Sequence, residues 1–575
     1  MVSNANTAFA AALAAALADL GLTDVCVSPG SRNTPLTLAF AARDDLTCWV
    51  HHDERGAGFF GLGLARASRR PVALVCTSGT AATEYFPAIT EALQTGAPLI
   101  VITADRPPEL RDVGAPQTID QIDLYGNKVK WFHHGAPPDL AAAALAPDLA
   151  AHAWGEAMGG VPGPVHLNLP FREPLVTATV DDAALDEGAR VDASTPTPMV
   201  RPARVVPPDD DVAEIARALA GRRALFVVGH VEGDAPDAIA GLARSAGAAV
   251  FVDPQSGLRA GPNTPATVPY ADLLAAAGAL DRLTPEIVVR WGSLPTSKAT
   301  WRWLDNHRDV PQLLIDPRGR DPLGSCRWIV RADPGAMAAA IRPAARAPSD
   351  WMSQWSALGS AAADAVRNEL TSSAFPNEPA IAATVFASAP QGAALFAGSS
   401  MPIRDIDTFA AQRQAPLSIY ANRGANGIDG SVSTAAGIAA SGRPTVALIG
   451  DVAALHDVGA LATVARMGLP LTTVVVHNDG GGIFSLLQQA DPSVVEPMTF
   501  ERFFGTPHGT DFVAVAEAFG LKARSVTGRE ELAELVGATG SAPLLIQVHT
   551  ERQAIVPLRN AAVAAVRDAI RQTLE

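Results

Sequence analysis

The chain has 575 residues, 48% of them hydrophobic and 18% charged, a balance that supports several buried cores and excludes a disordered or fibrous protein. A formal net charge of −15, without a local basic patch, argues against nucleic acid and anionic lipid as partners. Four cysteines (Cys26, Cys48, Cys76, Cys326) lack CxxC spacing, and no apolar run reaches the roughly 18–20 residues of a membrane span, so a reduced, cytoplasmic protein without zinc site or disulfide framework is expected.

In chain order, residues 2–21 read as an Ala-rich helix, because a leader would carry a basic start and Asp19 interrupts the apolar run. DVCVSPG, TCWVHH, PVALVCTSG, PLIVITAD and GPVHLNLP then alternate with helical stretches, the pattern of βαβ units on a parallel sheet, and define a first domain over 1–190. The Pro- and Thr-rich stretch 194–208 reads as a linker. A central domain over 205–345 carries ALFVVGH, AAVFVDP, EIVVRWG, QLLIDP and WIVRADP as strands. After a boundary near 345–351, a third domain over 352–575 carries ALFAGSS, LSIYANRG, TVALIGD, TTVVVHND and PLLIQVHT. The expected fold is α/β, with three open parallel-sheet domains whose ligands sit at the carboxyl ends of strands.

The most informative segment lies in the third domain. TVALIGD ends at Gly450-Asp451, and 27 positions after Asp451 another strand ends at Asn478, followed by Gly480, Gly481 and Gly482. Two strand-end oxygens can share one hard cation, which takes carboxylate and carbonyl oxygens together with a diphosphate. The glycines would let the backbone come close, offering a carbonyl to the metal and amides to the diphosphate. Either piece alone is ordinary turn chemistry; the spacing of the pair carries the inference.

In the first domain, Glu54 closes a strand in HHDERGAGFFGLGLA, where partial burial would raise its pKa unless a partner compensates. Gly56, Gly58 and Gly61 also spell GxGxxG, but a dinucleotide site wants an acidic residue ending the next strand, which here ends in Thr77, Ser78 and Gly79. Cationic and polar residues follow other strand ends: Ser31 and Arg32, Arg106 and Gln117, Lys298, Ser400 and Arg404, and Arg423. Guanidinium groups bind carboxylates in oriented pairs, so this inventory suits polyanionic substrates.

GD-(x)26-N followed by glycines resembles the signature of the thiamine-diphosphate enzymes. Across essentially the whole chain, SPGSRNTPL, DERG, TADRPPEL, GAPQTIDQ, NRGANGIDG and NDGGGIFS together resemble one family among them, the 2-succinyl-5-enolpyruvyl-6-hydroxy-3-cyclohexene-1-carboxylate synthases of menaquinone biosynthesis. The resemblance implies a transferase that uses thiamine diphosphate with Mg²⁺ or Mn²⁺, decarboxylates 2-oxoglutarate and adds the succinyl unit to isochorismate. It implies a pyrimidine-binding first domain, a central domain without bound flavin or nucleotide, and a diphosphate-binding third domain. Asp451, Asn478 and the Gly480 carbonyl would hold the metal, and Glu54 would hydrogen-bond N1′ of the aminopyrimidine. Ile428 would keep the cofactor bent. Ser400, Met401, Gly450, Asp451, Val452, Ala453 and Gly481 would surround the diphosphate. Ser31, Arg32, Arg106, Gln117, Lys298, Arg404, Arg423, Ile483 and Phe484 would face substrate. A homodimer or homotetramer with active sites between subunits is implied as well. Three positions depart from the usual pattern: Pro116, Val452 and His477. The rival readings are a carboligase or decarboxylase acting on smaller monoanionic 2-oxo acids, and a catalytically silent paralogue.

Overall fold

The computed structural model describes residues 4–139, 141–176 and 196–575, so the expected boundary at 190 and the first two residues of the expected linker lie outside the described residues. The chain forms three parallel sheets flanked by helices, and it divides into two compact units.

The first unit comprises residues 1–204, 422–442 and 456–469. Asn4 caps its first helix, Ala5–Asp19, by accepting from the amide of Asn6. Its sheet contains β1 (Asp24–Val27), β2 (Thr47–Val50), β3 (Val72–Cys76), β4 (Leu99–Asp105), β5 (Phe132–His134) and β6 (Val165–Pro170), ordered β2-β1-β3-β4-β6-β5. β3 and β4 are buried throughout, as strands covered on both faces must be, which explains their unbroken apolar runs VALVC and LIVI. The strand order reverses between β1 and β3, and the carboxyl ends there form the crevice where ligands of open sheets bind.

The helices Glu54–Ser68 and Ser431–Ala440 of this unit pack with almost no room between backbones. A Cβ on Gly63 would stand 2.0 Å from the Thr434 carbonyl oxygen, and one on Gly437 would stand 1.9 Å from that of Phe60. The GxGxxG reading dissolves in the same helix. Gly58 and Gly61 lie inside it, where a Cβ would meet Ala88 at 2.9 Å and Leu74 at 2.5 Å, so these glycines permit helix and sheet packing and form no phosphate loop.

The second unit comprises residues 205–421, 443–455 and 470–575. Residues 196–208 carry neither helix nor strand, consistent with the linker composition. One sheet contains β7 (Ala224–Val228), β8 (Ala249–Val252), β9 (Ile287–Trp291), β10 (Gln312–Ile315) and β11 (Trp328–Val330), in the order β11-β10-β9-β7-β8. The other contains β12 (Ala394–Ala397), β13 (Ser418–Tyr420), β14 (Thr445–Gly450), β15 (Leu471–His477), β16 (Lys522–Ser525) and β17 (Leu544–His549), in the order β13-β12-β14-β15-β17-β16. The helix Ser349–Ser372 begins at the expected domain boundary, yet its Trp351, Trp355 and Leu358 are buried with Leu225, Val227 and Phe251 of the central sheet. Ala562, Val566 and Ile570 of the last helix, Ile555–Leu574, join the same core. All four cysteines are free. Among the described residues, no helix is long and apolar enough to cross a membrane.

Candidate functional site

In the second unit, β12, β14 and β15 are neighbours, and the strand order reverses between β12 and β14. Three expected segments therefore emerge side by side at carboxyl ends: Ser400-Met401 after β12, Gly450 to Ala453 at β14, and Asn478 to Gly482 after β15. Asp451 is buried and opens the helix Asp451–His456, where a carboxylate is favoured by the helix dipole. Its Oδ1 accepts from the Val452 amide at 2.7 Å and its Oδ2 from the Gly480 amide at 3.0 Å, which locks the two strand ends together. Asn478 leaves Oδ1 buried without a hydrogen-bond partner, while its Nδ2 donates to Glu378 Oε1 at 2.6 Å. A buried acceptor lacking a donor costs roughly 1–3 kcal/mol unless something else satisfies it. An unpaired amide oxygen beside a buried carboxylate is the donor set a hard cation takes, so these residues fit a divalent metal.

The glycine amides do a different job from the one their sequence suggests. The Gly480 amide is spent on Asp451, the Gly481 amide donates to the Gly505 carbonyl at 2.8 Å, and the Gly482 amide donates to the Gly480 carbonyl at 3.1 Å. None of the three is left over for a diphosphate. Instead Gly480, at φ +142°, and Gly481 let the turn Glu501–Gly505 pack against this loop: a Cβ would stand 1.8 Å from the Gly505 oxygen in one case and 2.3 Å from the Phe504 oxygen in the other. Ile483 and Phe484 follow in a half-buried short helix, Gly482–Leu486.

His477, one of the three positions set apart in the sequence, is buried against this cluster. Its Nδ1 lies 3.3 Å from Asp451 Oδ2, and its ring stands opposite His508, whose Nε2 lies 3.5 Å from the same oxygen. His477 Nε2 faces the Thr510 carbonyl at 2.8 Å and so carries a proton. Burial works against the charged imidazole, but the hydrogen-bonded Asp451 carboxylate, the Thr510 carbonyl and the Asp479 charge together outweigh it, and the His477 pKa lies above its ordinary value. Asp479, at φ +54°, ties the loop down by accepting from the amides of His508 at 2.9 Å and Gly509 at 2.8 Å.

Ser400 holds φ +74° and ψ −122°, a region β-carbon residues rarely occupy, and Arg404 donates to its carbonyl. Behind the site, burial pushes the carboxyls of Glu378 and Asp405 upward, opposed by the Arg559 guanidinium, which donates to Asp405 Oδ1 at 3.2 Å. Lys298 lies in the same unit on the central sheet, exposed at the start of the helix Lys298–Asn306.

In the first unit, Glu54 is half-buried at the start of its helix, beside the cap Asp53, whose Oδ1 accepts from Arg55 and Gly56 amides at 2.9 and 3.4 Å. Burial, reinforced by the Asp53 and Glu84 charges, raises the Glu54 pKa. Ser31 is exposed after β1. Arg32 differs from the expected substrate-facing cation: it is buried, its Nη1 donates to the Phe171 carbonyl at 2.8 Å and its Nη2 to Glu173 at 3.2 Å. Arg106 is half-buried and braces the Pro116 carbonyl at 3.3 Å. Gln117, at φ +58°, is exposed and exchanges hydrogen bonds with Ser78 at 2.9 and 3.1 Å. Gln121 supports the same corner from below, accepting from the Gly79 amide at 2.9 Å and donating to Asn168 at 2.9 Å.

Arg423 and Ile428 also belong to the first unit, half-buried in the loop that precedes the helix Ser431–Ala440. The Glu91 carboxylate clasps that loop, accepting from the amides of Gly424 at 2.8 Å and Ala425 at 2.6 Å. Glu91, Glu378 and His508 escaped the sequence reading. Each acts on a segment distant in sequence, and no local motif marks it; the turn composition of Pro507-His508-Gly509 is the nearest thing to a signal.

Three family models match the chain in order: "Thiamine pyrophosphate enzyme, N-terminal TPP binding domain" over 7–124, "Middle domain of thiamine pyrophosphate" over 208–397, and "Thiamine pyrophosphate enzyme, C-terminal TPP binding domain" over 406–548. Curated relatives match over most of their length. The 2-succinyl-5-enolpyruvyl-6-hydroxy-3-cyclohexene-1-carboxylate synthase of Geobacillus thermodenitrificans is 41% identical, covering 90% of this chain and 89% of that protein. The proteins of the same name from Chloroflexus aurantiacus and Halobacterium salinarum are 40% and 42% identical, with 95% and 96% of this chain covered and 94% and 96% of theirs.

Proposed function

Since the chain belongs to the 2-succinyl-5-enolpyruvyl-6-hydroxy-3-cyclohexene-1-carboxylate synthase family of thiamine-diphosphate enzymes, we propose that it decarboxylates 2-oxoglutarate and joins the succinyl unit to isochorismate. The observation that carries this reading is the pairing of buried Asp451 with the unpartnered Oδ1 of Asn478 at adjacent strand ends.

Asp451, Asn478 and the Gly480 carbonyl would hold Mg²⁺ or Mn²⁺ on the diphosphate. Bound thiamine diphosphate supplies the electron sink that makes loss of CO₂ from a 2-oxo acid feasible. The Glu54 carboxyl, already raised in pKa by burial, would hold a proton at N1′ of the aminopyrimidine. The Ser400 loop would line the diphosphate, with its positive φ turning the chain into the following helix. Arg106, Arg404, Arg423 and Lys298 would bind substrate carboxylates and offset charge that develops during the addition. Arg32 would act chiefly by fixing the loop after β1, given its bonds to Phe171 and Glu173. The domain reading of 1–190, 205–345 and 352–575 as pyrimidine-binding, central and diphosphate-binding parts belongs to the same proposal. So do a cytoplasmic location and a homodimer or homotetramer with active sites between subunits.

The test is CO₂ release by the purified protein with thiamine diphosphate and Mg²⁺, supplied with 2-oxoglutarate or pyruvate, with and without isochorismate. We expect release from 2-oxoglutarate, accelerated by isochorismate and accompanied by the adduct. Preference for pyruvate would assign the chain to a different carboligase chemistry.

A further inference from the structure

One buried carboxylate that the proposed reaction does not use touches the metal site from behind. Glu378 opens the helix Glu378–Ser388, which Asn377 caps by accepting from the Ala380 amide, and it is 5% exposed. Its Oε1 lies 2.6 Å from Asn478 Nδ2. A carboxamide offers an oxygen on one side and an NH₂ on the other, and only the oxygen can ligate a cation. With Nδ2 donating to Oε1, the NH₂ end of the amide faces Glu378 and Oδ1 is directed away from it. That Oδ1 is the atom left buried without a partner. Gly482 closes over the pair: a Cβ there would stand 2.6 Å from Asn478 Nδ2 and 3.6 Å from Glu378 Oε1. The third glycine of the loop thus leaves room for this hydrogen bond, which accounts for a residue that neither the metal nor the packing of residues 501–505 requires.

We propose that Glu378 is a positioning residue that holds the Asn478 carboxamide with its oxygen aimed at the divalent cation, an inference that rests on the reading of Asp451 and Asn478 as metal ligands. A group that orients a metal ligand typically changes affinity about 10–100-fold when removed.

The experiment is a calorimetric titration of chelator-stripped, full-length protein with Mg²⁺ in saturating thiamine diphosphate. Glu378→Ala should weaken Mg²⁺ binding about 10–100-fold. Asn478→Asp alone should also weaken it, because two carboxylates would then face each other where the amide now donates. The shape-conserving swap Glu378→Gln with Asn478→Asp restores a donor on residue 378 and presents an oxygen to the metal whichever way residue 478 turns. It should therefore bind Mg²⁺ more tightly than Asn478→Asp alone. A purely packing role for Glu378 predicts losses that add, and a swap no tighter than Asn478→Asp would overturn the proposal. So would wild-type affinity in Glu378→Ala. The swap decides the question even if the alanine variant does not fold. Failure of the wild-type protein to bind Mg²⁺ would instead remove the metal reading itself, a result distinct from failure of the positioning role.

Discussion

Glu54→Gln is expected to lower turnover about 10²–10⁴-fold, the range over which a positioned acid–base group contributes, while leaving the fold and cofactor affinity nearly unchanged. That corresponds to about 3–5 kcal/mol of transition-state stabilisation. The expectation rests on three features that coincide at Glu54: a place at the carboxyl end of β2, half-burial at a helix start, and a pKa raised by desolvation with Asp53 and Glu84 adding to it. Glutamine keeps the shape and a hydrogen bond but cannot exchange the proton, so the variant separates acid–base chemistry from packing. Steady-state rates on 2-oxoglutarate with isochorismate check it, and near-normal turnover would remove Glu54 from the mechanism.

The second large effect is expected at Asp451→Ala, which should abolish the thermal stabilisation conferred by thiamine diphosphate with Mg²⁺. A ligand that binds only the folded protein stabilises it by about 2.7 kcal/mol at a hundredfold excess over its Kd, and a protein that no longer binds gains nothing. Removing Asp451 also strips acceptors from the Val452 and Gly480 amides, so the apoprotein itself should melt lower. For that reason the quantity compared is the shift on adding cofactor and metal. A shift equal to that of the wild-type protein would refute Asp451 as a ligand.

Much of this architecture was legible in the sequence because buried parallel strands write themselves as unbroken apolar runs. β5 and β16 escaped, and the cause is physical. Phe132–His134 and Lys522–Ser525 are short edge strands, paired on one side only, and their half-exposed or exposed residues, mostly polar, look like loop. The boundary near 345–351 was visible as composition, but the helix that starts there packs on the central sheet through Trp351 and Trp355, a tertiary choice that no local pattern announces. The loop containing Arg423 and Ile428, assigned by sequence order to the third domain, lies in the compact unit of the first sheet, where Glu91 holds it.

At the site, the spacing from Asp451 to Asn478 was the readable part, because both residues terminate adjacent strands whose positions the fold sets. The supporting groups were not readable. Glu378 reaches Asn478 across 100 positions of sequence, and His508 approaches Asp451 from a turn held by Asp479. The cationic residues singled out follow strand ends, yet position near a strand end does not tell a substrate-binding arginine from one that braces a loop. Arg32, buried on the Phe171 carbonyl, shows the difference.

If the strand ends at Asp451 and Asn478 hold a diphosphate through a divalent cation, calorimetric titration of chelator-stripped wild-type protein with thiamine diphosphate must depend on Mg²⁺. Saturable binding in Mg²⁺ that weakens by about two orders of magnitude or more without it is expected, since Asp451 and Asn478 would hold the cation and its charge would offset that of the diphosphate. Equal affinity in the presence and absence of the metal would rule out a cation as the link between these strand ends and the diphosphate.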